Sequence, residues 1–354
     1  MSGALDDAAV LARYDVSGMA ERVGRLAYQI RQAWPQTRRL TLPTAYREAS
    51  AVAVLGMGGS AIGGDLVRGV FADRLRVPLL VIRDYVLPAF AGPATLVVAS
   101  SHSGATEETL AATGEALGRG CPVAVVASGG ALAERAMSDA LPLLRFEAEA
   151  QPRAAVGWSV VLLAGLLERA GYFEVSDTEV DDAAARAEAR FAACAPAVPT
   201  EHNPAKQLAW AILDRMPVVI GAGHLAAVAR RWKTQFNENA KSWAAWDELP
   251  EATHNTVAGL AQPENLREHL FAVLLASAED HPRTSVRRDL TAALLQVAGT
   301  PQMRVEVEGA GRLAQAFDAI VLGDLVSVYL AVLYGLDPTP VAAIEALKER
   351  LAGA

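Results

Sequence analysis

Two loops in the first third of the chain combine glycines with hydroxyl side chains. The first, residues 56–64, reads Gly-Met-Gly-Gly-Ser-Ala-Ile-Gly-Gly, and the second, residues 101–106, reads Ser-His-Ser-Gly-Ala-Thr. Each follows a short apolar run and precedes a stretch that can form a helix. Free backbone N–H groups at a helix N-terminus attract anions, and glycine lets the backbone approach a ligand closely. This pattern predicts a site for one phosphate monoester held by neutral donors, with candidate ligands Gly59, Ser60, Ser101, Ser103 and Thr106.

The first loop taken alone also fits a different kind of site. Gly56, Gly58 and Ala61 match a dinucleotide fingerprint, and Asp84 follows the next apolar run. The second loop argues against a nicotinamide-dependent dehydrogenase, because a dinucleotide site does not need Ser-x-Ser-Gly-x-Thr after a later strand. Both loops could be plain strand-to-helix turns, but such turns rarely need so many hydroxyl groups.

A second group of candidate residues lies in the other half of the chain. Glu238, His254 and Lys348 provide a carboxylate, an imidazole and an ammonium group, which together could transfer protons. Each residue also has an ordinary interpretation. Glu238 could pair with Lys241 on one helix, His254 could be a loop histidine, and Lys348 could be a solvated surface lysine. Their spacing alone does not decide between catalysis and structure.

The elements that must position these residues are short apolar runs alternating with helical segments. Most runs are almost continuously apolar, as in parallel strands buried on both faces. We therefore predict doubly wound α/β sheets, which bind ligands at the carboxyl ends of their strands. The predicted strands are 51–55, 79–82, 95–99, 123–127, 143–146, 217–220, 271–276 and 303–307, and the predicted helices include 19–34, 156–170, 177–191 and 341–351.

The pattern of strands and helices restarts after a Pro-rich segment, residues 195–200. The second half resembles a degenerate copy of the first that has lost its phosphate loop. Glu279 and Asp280 stand where the second hydroxyl loop would be, and their charges would repel a phosphate. We predict two domains, 1–195 and 196–354, with one phosphate site in the first.

Composition limits the possible partners and locations. The chain has 354 residues, is 52% hydrophobic and carries a formal net charge of −8, which does not favour nucleic-acid binding. Cys121 and Cys194 form neither a metal-like spacing nor a disulfide framework, and no signal-peptide pattern is present, so we predict a cytoplasmic location. The apolar run 320–336 contains Asp324 and is short for a membrane span, so it predicts a buried helix and no membrane association.

Several motifs together resemble one known family. The chain is similar to the bifunctional phosphoglucose/phosphomannose isomerases of the SIS (sugar isomerase) fold over nearly its whole length. The two loops specify only the SIS superfamily, and the segments 237–241 (Asn-Glu-Asn-Ala-Lys) and 254–255 (His-Asn) are more specific. The other shared motifs are Arg83-Asp-Tyr85, Pro152-Arg153 and the closing Asp337-Pro…Ile344-Glu-Ala-Leu-Lys348.

The resemblance implies two SIS subdomains and an aldose–ketose isomerase of carbohydrate metabolism that uses neither metal nor cofactor. Its implied substrates are glucose 6-phosphate or mannose 6-phosphate, interconverted with fructose 6-phosphate through a cis-enediol. Glu238 matches the catalytic base, and Arg153 matches an arginine near the enediol. His254, donated across a homodimer interface, matches the ring-opening residue, and Lys348 matches a lysine that assists at the ring oxygen.

Two positions qualify the resemblance. His102 stands where the family often has a tyrosine or another residue, and we expect its ring to point away from the phosphate. Thr339 is the nearest candidate for a threonine of the sugar pocket. Two rivals within the fold remain. A non-catalytic sugar-phosphate sensor usually accompanies a DNA-binding or kinase domain, and the amidotransferase type carries a terminal cysteine where this chain has Ser2.

Overall fold

A computed structural model describes residues 3–148 and 151–353 of the chain. These residues form two compact units. The first-sheet unit comprises residues 25–187 and 309–317, and the second-sheet unit comprises residues 3–24, 188–308 and 318–353.

Each unit is built on one wholly parallel sheet flanked by helices. The first sheet has the strand order β2-β1-β3-β4-β5, and the second has the order β7-β6-β8-β9. The predicted α/β fold class is therefore confirmed. The strands are β1 (Ala51–Leu55), β2 (Leu79–Ile82), β3 (Thr95–Ser101), β4 (Val123–Ala127), β5 (Leu143–Arg145), β6 (Met216–Ala222), β7 (Ala245–Leu249), β8 (Leu270–Ala276) and β9 (Gln302–Glu306).

The helices alternate with the strands, and short 3-10 turns join several of them. They are α1 (Ala8–Tyr14), α2 (Met19–Gly24), α3 (Leu26–Arg38), α4 (Gly58–Val70), α5 (Glu107–Gly118), α6 (Gly130–Ser138), α7 (Val156–Arg169), α8 (Asp177–Cys194), α9 (Pro204–Ile212), α10 (Ala226–Glu238), α11 (Pro282–Ala298), α12 (Gly311–Leu333) and α13 (Ala342–Ala352).

The two units differ from the predicted domains 1–195 and 196–354. The boundary falls inside α8, and residues 3–24 belong to the second-sheet unit. The ammonium group of the buried Lys206 explains the second difference, because it lies 3.1 Å from Asp6 Oδ1. A buried cation requires such a partner, and the N-terminal segment supplies it.

The structure also differs from the predicted elements at one helix and one strand. The single helix predicted over 19–34 is two helices, α2 and α3, which are separated at Arg25. Strand β7 was not predicted, because its sequence Ala-Trp-Asp-Glu-Leu mixes charged residues with apolar ones. It is an edge strand, and only Leu249 of its residues is buried. An edge position tolerates the carboxylates that a central strand would exclude.

The predicted buried helix is confirmed as part of α12. By length and composition this helix could cross a membrane, but 94% of its most apolar window is buried inside the protein. Its acidic residues are neutralised by arginines, since Asp324 accepts a hydrogen bond from Arg231 at 2.5 Å and Asp318 pairs with Arg190. These pairs allow acids to lie in the core of the second-sheet unit.

The Arg190–Asp318 pair yields a stability prediction. Arg190 Nε and Nη2 donate to the two carboxylate oxygens at 2.7 and 2.8 Å, and Asp318 is fully buried. Asp318→Asn would leave the guanidinium with only the largely exposed Glu308, whose Oε1 lies 3.7 Å from Arg190 Nη2, as a carboxylate partner. We therefore expect a loss of about 3–5 kcal/mol in the free energy of unfolding. Urea unfolding measures this loss.

A surface pair provides the matched control. Arg304 and Asp289 lie 2.8 Å apart, but their side chains are 47% and 60% exposed. Asp289→Asn should therefore cost less than about 1 kcal/mol. Equal losses for the two variants would show that burial does not set the strength of the Asp318 pair.

The two cysteines agree with the expectation of no disulfide framework. Cys121 and Cys194 are both free and buried. Burial raises the pKa of each thiol above its ordinary value, so both groups are neutral at neutral pH.

Candidate active site

The two hydroxyl loops, residues 56–64 and 101–106, lie side by side at the edge of the first sheet that the carboxyl ends of its strands form. They follow β1 and β3, which are adjacent parallel strands with Leu55 paired to Ala99. The backbone N–H of His102 donates to Ser60 Oγ at 3.1 Å and ties the second loop to the first. The hydroxyls at this edge therefore face a common region at the carboxyl ends of the strands, the usual ligand position in this type of sheet.

Hydrogen bonds within the second loop fix the direction of its hydroxyl groups. Gly104 N–H donates to Ser101 Oγ at 3.0 Å, and Ala105 N–H donates to Ser103 Oγ at 3.2 Å. Ser101 Oγ and Thr106 Oγ1 lie 2.9 Å apart and share one hydrogen bond. A hydroxyl that accepts a backbone N–H keeps its own proton for donation. Ser103 is exposed and can make that donation to a ligand, whereas Ser101 is buried and also holds the loop closed.

Two helix N-termini add backbone donors to this edge. Helix α4 starts at Gly58 and α5 at Glu107, and neither Met57 nor Thr106 caps its helix with a side chain. Uncapped N–H groups can bind a phosphate. Glu107 and Glu108 stand in the first turn of α5, so the loop is not strongly cationic.

Tyr85 lies beside the first turn of α5. Its hydroxyl donates to Glu107 Oε2 at 3.4 Å. Partial desolvation raises the pKa of the Tyr85 phenol, and the negative charges of Glu107 and Glu108 raise it further. The phenol is therefore neutral at physiological pH and acts only as a neutral hydrogen-bonding group.

A third loop supports the second hydroxyl loop from behind. Ser128 Oγ donates to the carbonyl of His102 at 2.5 Å, and Leu132 N–H donates to the carbonyl of Gly104 at 2.9 Å. Gly104 has a φ of +66°, and a Cβ there would lie 1.7 Å from the carbonyl oxygen of Gly129. Only glycine fits this contact. This support was not predicted from the sequence, although the segment Ser-Gly-Gly directly after β4 is a signal for such a loop.

Arg153 lies next to the first loop. It belongs to the 3-10 turn Pro152–Ala154 and is 3% exposed, and its Nη1 donates to Gln151 Oε1 at 3.0 Å. A Cβ on Gly59 would lie 3.0 Å from the carbonyl oxygen of Pro152. The first-sheet unit therefore brings together all of its predicted site residues, Gly59, Ser60, Ser101, Ser103, Thr106 and Arg153.

The ring of His102 lies against an aromatic side chain. Its centroid is 5.7 Å from that of Phe146, whose ring stacks in turn on Trp158 at 6.1 Å. The contact with the hydroxyl loops is made by the His102 backbone. This arrangement explains why a residue other than tyrosine can occupy the position.

Glu238 lies on the wall of a cavity in the second-sheet unit. It is the last residue of α10 and is partly buried. The cavity has a volume of about 480 Å³. The C-terminal end of α10 forms one side of this cavity, and the residues that lead into α13 form the other. The lining residues are Asn237, Glu238, Lys241, Leu336, Asp337, Pro340, Val341, Ala342, Ala343 and Ile344.

Lys241 joins the two sides of this cavity. Its Nζ donates to the carbonyl of Asn239 at 3.0 Å and to the carbonyl of Asp337 at 2.6 Å. Its backbone has a φ of +53°, which is uncommon for a residue with a side chain. The buried Asn239 donates to Ser327 Oγ at 2.9 Å and holds the end of α10 against α12. The segment that directly follows Glu238 is thus anchored at two residues, Asn239 and Lys241.

Comparisons with known proteins identify the family of this chain. Residues 201–351 match the family model described as the bacterial phospho-glucose isomerase C-terminal SIS domain. A bifunctional phosphoglucose/phosphomannose isomerase from Caldicellulosiruptor bescii is 37% identical over 94% of this chain and 99% of its own. One of the same name from Aquifex aeolicus is 36% identical over 84% of this chain and 88% of its own. This chain belongs to the bifunctional phosphoglucose/phosphomannose isomerase family. It is an isomerase.

A solved structure supports the fold of this family member. The tagatose-6-phosphate ketose/aldose isomerase from Escherichia coli matches with a TM-score of 0.71 at 17% identity, over 92% of this chain and 95% of that chain. At this identity the match shows the shared α/β fold alone. The family assignment rests on the sequence relatives.

The remaining residues predicted for this family member do not line the cavity that Glu238 lines. His254 follows the 3-10 turn Glu251–Thr253 and is exposed. Lys348 is exposed on α13, beyond the residues of that helix that reach the cavity. Thr339 is buried beside the cavity wall, and its N–H donates to Asp337 Oδ1 at 2.8 Å. The roles of these three residues stay predictions.

Proposed function

We propose that this protein interconverts glucose 6-phosphate and mannose 6-phosphate with fructose 6-phosphate through a cis-enediol and without a metal ion. The observation that carries the proposal is the 37% identity with a bifunctional phosphoglucose/phosphomannose isomerase over 94% of the chain. The hydroxyl loops and the carboxylate in a cavity are the groups that such a reaction needs.

The loops of the first-sheet unit would bind the substrate phosphate. Ser60, Ser103 and Thr106 offer hydroxyl protons, and the starts of α4 and α5 offer backbone N–H groups. Neutral donors hold a phosphate while the loops keep their internal hydrogen bonds. Gly59 would let the backbone approach the anion closely, and Ser101 would support the loop from within.

The chemistry begins with opening of the sugar ring. His254 and Lys348 would move a proton between O1 and O5, so that the open-chain aldehyde makes the C2 proton acidic. Glu238 would then remove the C2 proton and return it to C1. Arg153 would stabilise negative charge that develops on the enediol oxygens. Rotation about the C2–C3 bond would let the same carboxylate accept either C2 epimer.

We propose further that the enzyme is a cytoplasmic homodimer in which each site uses His254 of the partner subunit. The exposure of His254, and its separation from the cavity that Glu238 lines, support this assignment. Light scattering coupled to an activity assay tests it. An active monomer would contradict the shared histidine.

A coupled spectrophotometric assay tests the proposed reaction. The formation of fructose 6-phosphate is measured in two separate assays, one with glucose 6-phosphate and one with mannose 6-phosphate as the substrate, and EDTA is present in both. Turnover of both substrates is expected, at rates that EDTA does not change. Turnover of only one of the two sugar phosphates would limit the proposed substrate specificity to that sugar. Binding without any turnover would favour the sugar-phosphate sensor and reject the isomerase reaction.

A further inference from the structure

The second-sheet unit contains another cavity, which we call the apolar cavity. Its volume is about 350 Å³, and among the described residues it shares no lining residue with the cavity that Glu238 lines. Val218, Ile220 and Ala272 of the central strands β6 and β8 form its floor, and Leu295 of α11 forms a side. A volume of this size accommodates a small organic molecule.

A segment of irregular structure covers the apolar cavity. The 3-10 turns Thr256–Gly259 and Glu264–His269 pass over it, with Leu260 and Leu266 on its wall. No residue of either turn is fully buried. The cover therefore packs against the sheet on one side only, and it leaves the apolar floor without closely packed side chains above it.

One buried polar side chain on the wall lacks a partner. Thr300 is 4% exposed, and its Oγ1 forms no hydrogen bond within residues 3–148 and 151–353. Its backbone N–H donates to the carbonyl of Leu295 at 3.0 Å, which fixes the residue in place. Buried hydroxyls are nearly always hydrogen-bonded, so this one calls for an occupant that supplies a partner.

Water is a poor occupant of this cavity. A buried water needs roughly two to four polar partners, and apolar cavities of this kind stay dry. The other buried threonine on the wall, Thr291, already donates to the carbonyl of Arg287 at 2.8 Å. A mainly aliphatic lining with one available hydroxyl fits an apolar molecule better.

A sugar phosphate does not fit either. The cation on the wall is Arg267, whose Nη2 lies 2.9 Å from Glu264 and whose Nη1 donates to the carbonyl of Ala298 at 3.2 Å. An anion would have to compete with these contacts and would gain few polar partners from the rest of the lining. The apolar cavity is therefore chemically distinct from the phosphate loops.

We infer that the apolar cavity binds a small, largely apolar molecule with one hydrogen-bonding oxygen, which pairs with the Thr300 hydroxyl. The size suits a fused two-ring aromatic. This binding function is separate from the proposed isomerase reaction. Ala252 and Thr256, which flank His254 in the chain, also line the cavity, so an occupant would lie beneath the turn that carries this histidine.

Calorimetric titration of the full-length protein with 1-naphthol and with naphthalene tests the inference. Both probes are expected to bind, and 1-naphthol is expected to bind more tightly. Thr300→Val keeps the shape of the side chain but removes the hydroxyl. It should weaken 1-naphthol binding about three- to tenfold, the effect of one neutral hydrogen bond, and leave naphthalene binding unchanged.

A filling variant locates the probes. Leu260→Trp should abolish binding of both molecules, because the larger ring occupies the cavity. Leu294→Trp, the same change on the exposed face of α11, should leave binding intact. Absence of binding to the wild type, or unchanged binding to Leu260→Trp, would overturn the inference. Equal weakening of both probes by Thr300→Val would reject the hydroxyl contact. No sugar phosphate is present, so failure of the isomerase assay has no bearing on the result.

Discussion

Glu238→Gln is expected to abolish isomerisation while sugar-phosphate binding persists. An amide of nearly the same shape cannot accept the C2 proton, and a positioned base contributes about 10²–10⁴ to the rate of such a step. The coupled assay should therefore show a fall in kcat of at least this size. Proton NMR in D₂O should show loss of deuterium exchange at C2 of the substrate.

Sugar-phosphate binding should persist because the loops proposed to bind the phosphate and the proposed base, Glu238, lie in different units of the chain. The hydroxyl loops lie in the first-sheet unit, and the change at the end of α10 leaves their hydrogen bonds untouched. Glu268→Gln provides the control, because this exposed carboxylate lies in the same unit as Glu238. Near wild-type turnover in Glu238→Gln would remove Glu238 as the base.

Gly104→Ala is expected to distort the second hydroxyl loop and so weaken the phosphate binding that we propose for it. The new Cβ would lie 1.7 Å from a backbone oxygen in the loop after β4, and the φ of +66° is itself unfavourable for alanine. Neither backbone can move without breaking the hydrogen bonds that join the two loops. We expect the KM for fructose 6-phosphate to rise by at least about tenfold, as for the loss of charge-assisted hydrogen bonds to phosphate.

Two further variants separate loop distortion from general instability. Gly114→Ala makes the same chemical change in the middle of α5, where nothing lies within 4 Å of the new Cβ. It should leave KM unaffected and raise the free energy of unfolding by roughly 0.5–1 kcal/mol, because alanine is more favourable than glycine in a helix interior. Ser103→Ala introduces no clash and removes one exposed hydroxyl, together with the hydrogen bond that this hydroxyl accepts from the Ala105 N–H. Because that bond is solvent-exposed, the variant should raise KM with little change in melting temperature. An unchanged KM in both Gly104→Ala and Ser103→Ala would place the phosphate elsewhere.

Physical signals in single segments explain what the sequence predicted well. The continuously apolar runs of β1, β3 and β4 identify buried parallel strands, because few other elements need such composition. Hydroxyl-rich loops directly after two of these strands identify the candidate phosphate site, because plain strand-to-helix turns rarely need so many hydroxyl groups. Fold class and loop chemistry are therefore readable from local pattern.

Features that depend on contacts between distant segments were not predictable in this way. Residues 3–24 belong to the second-sheet unit through contacts with distant segments, such as that between Asp6 and Lys206. The bridge from Lys241 to Asp337 spans 96 positions and has no periodic signature. Strand β7 is defined by its pairing with β6 at the sheet edge and not by its own composition.

The interleaving of the two units has a consequence for the order in which the nascent protein can fold. Residues 3–24 leave the ribosome long before residues 188–308, yet the Lys206 partner of Asp6 lies in that later segment. At about 5–20 residues per second, Asp6 waits on the order of ten to forty seconds for Lys206 to be synthesised. The first sheet can assemble during that interval, while α1 and α2 remain without their partners. A stretch that must wait in this way is a natural target for chaperones and proteases during synthesis.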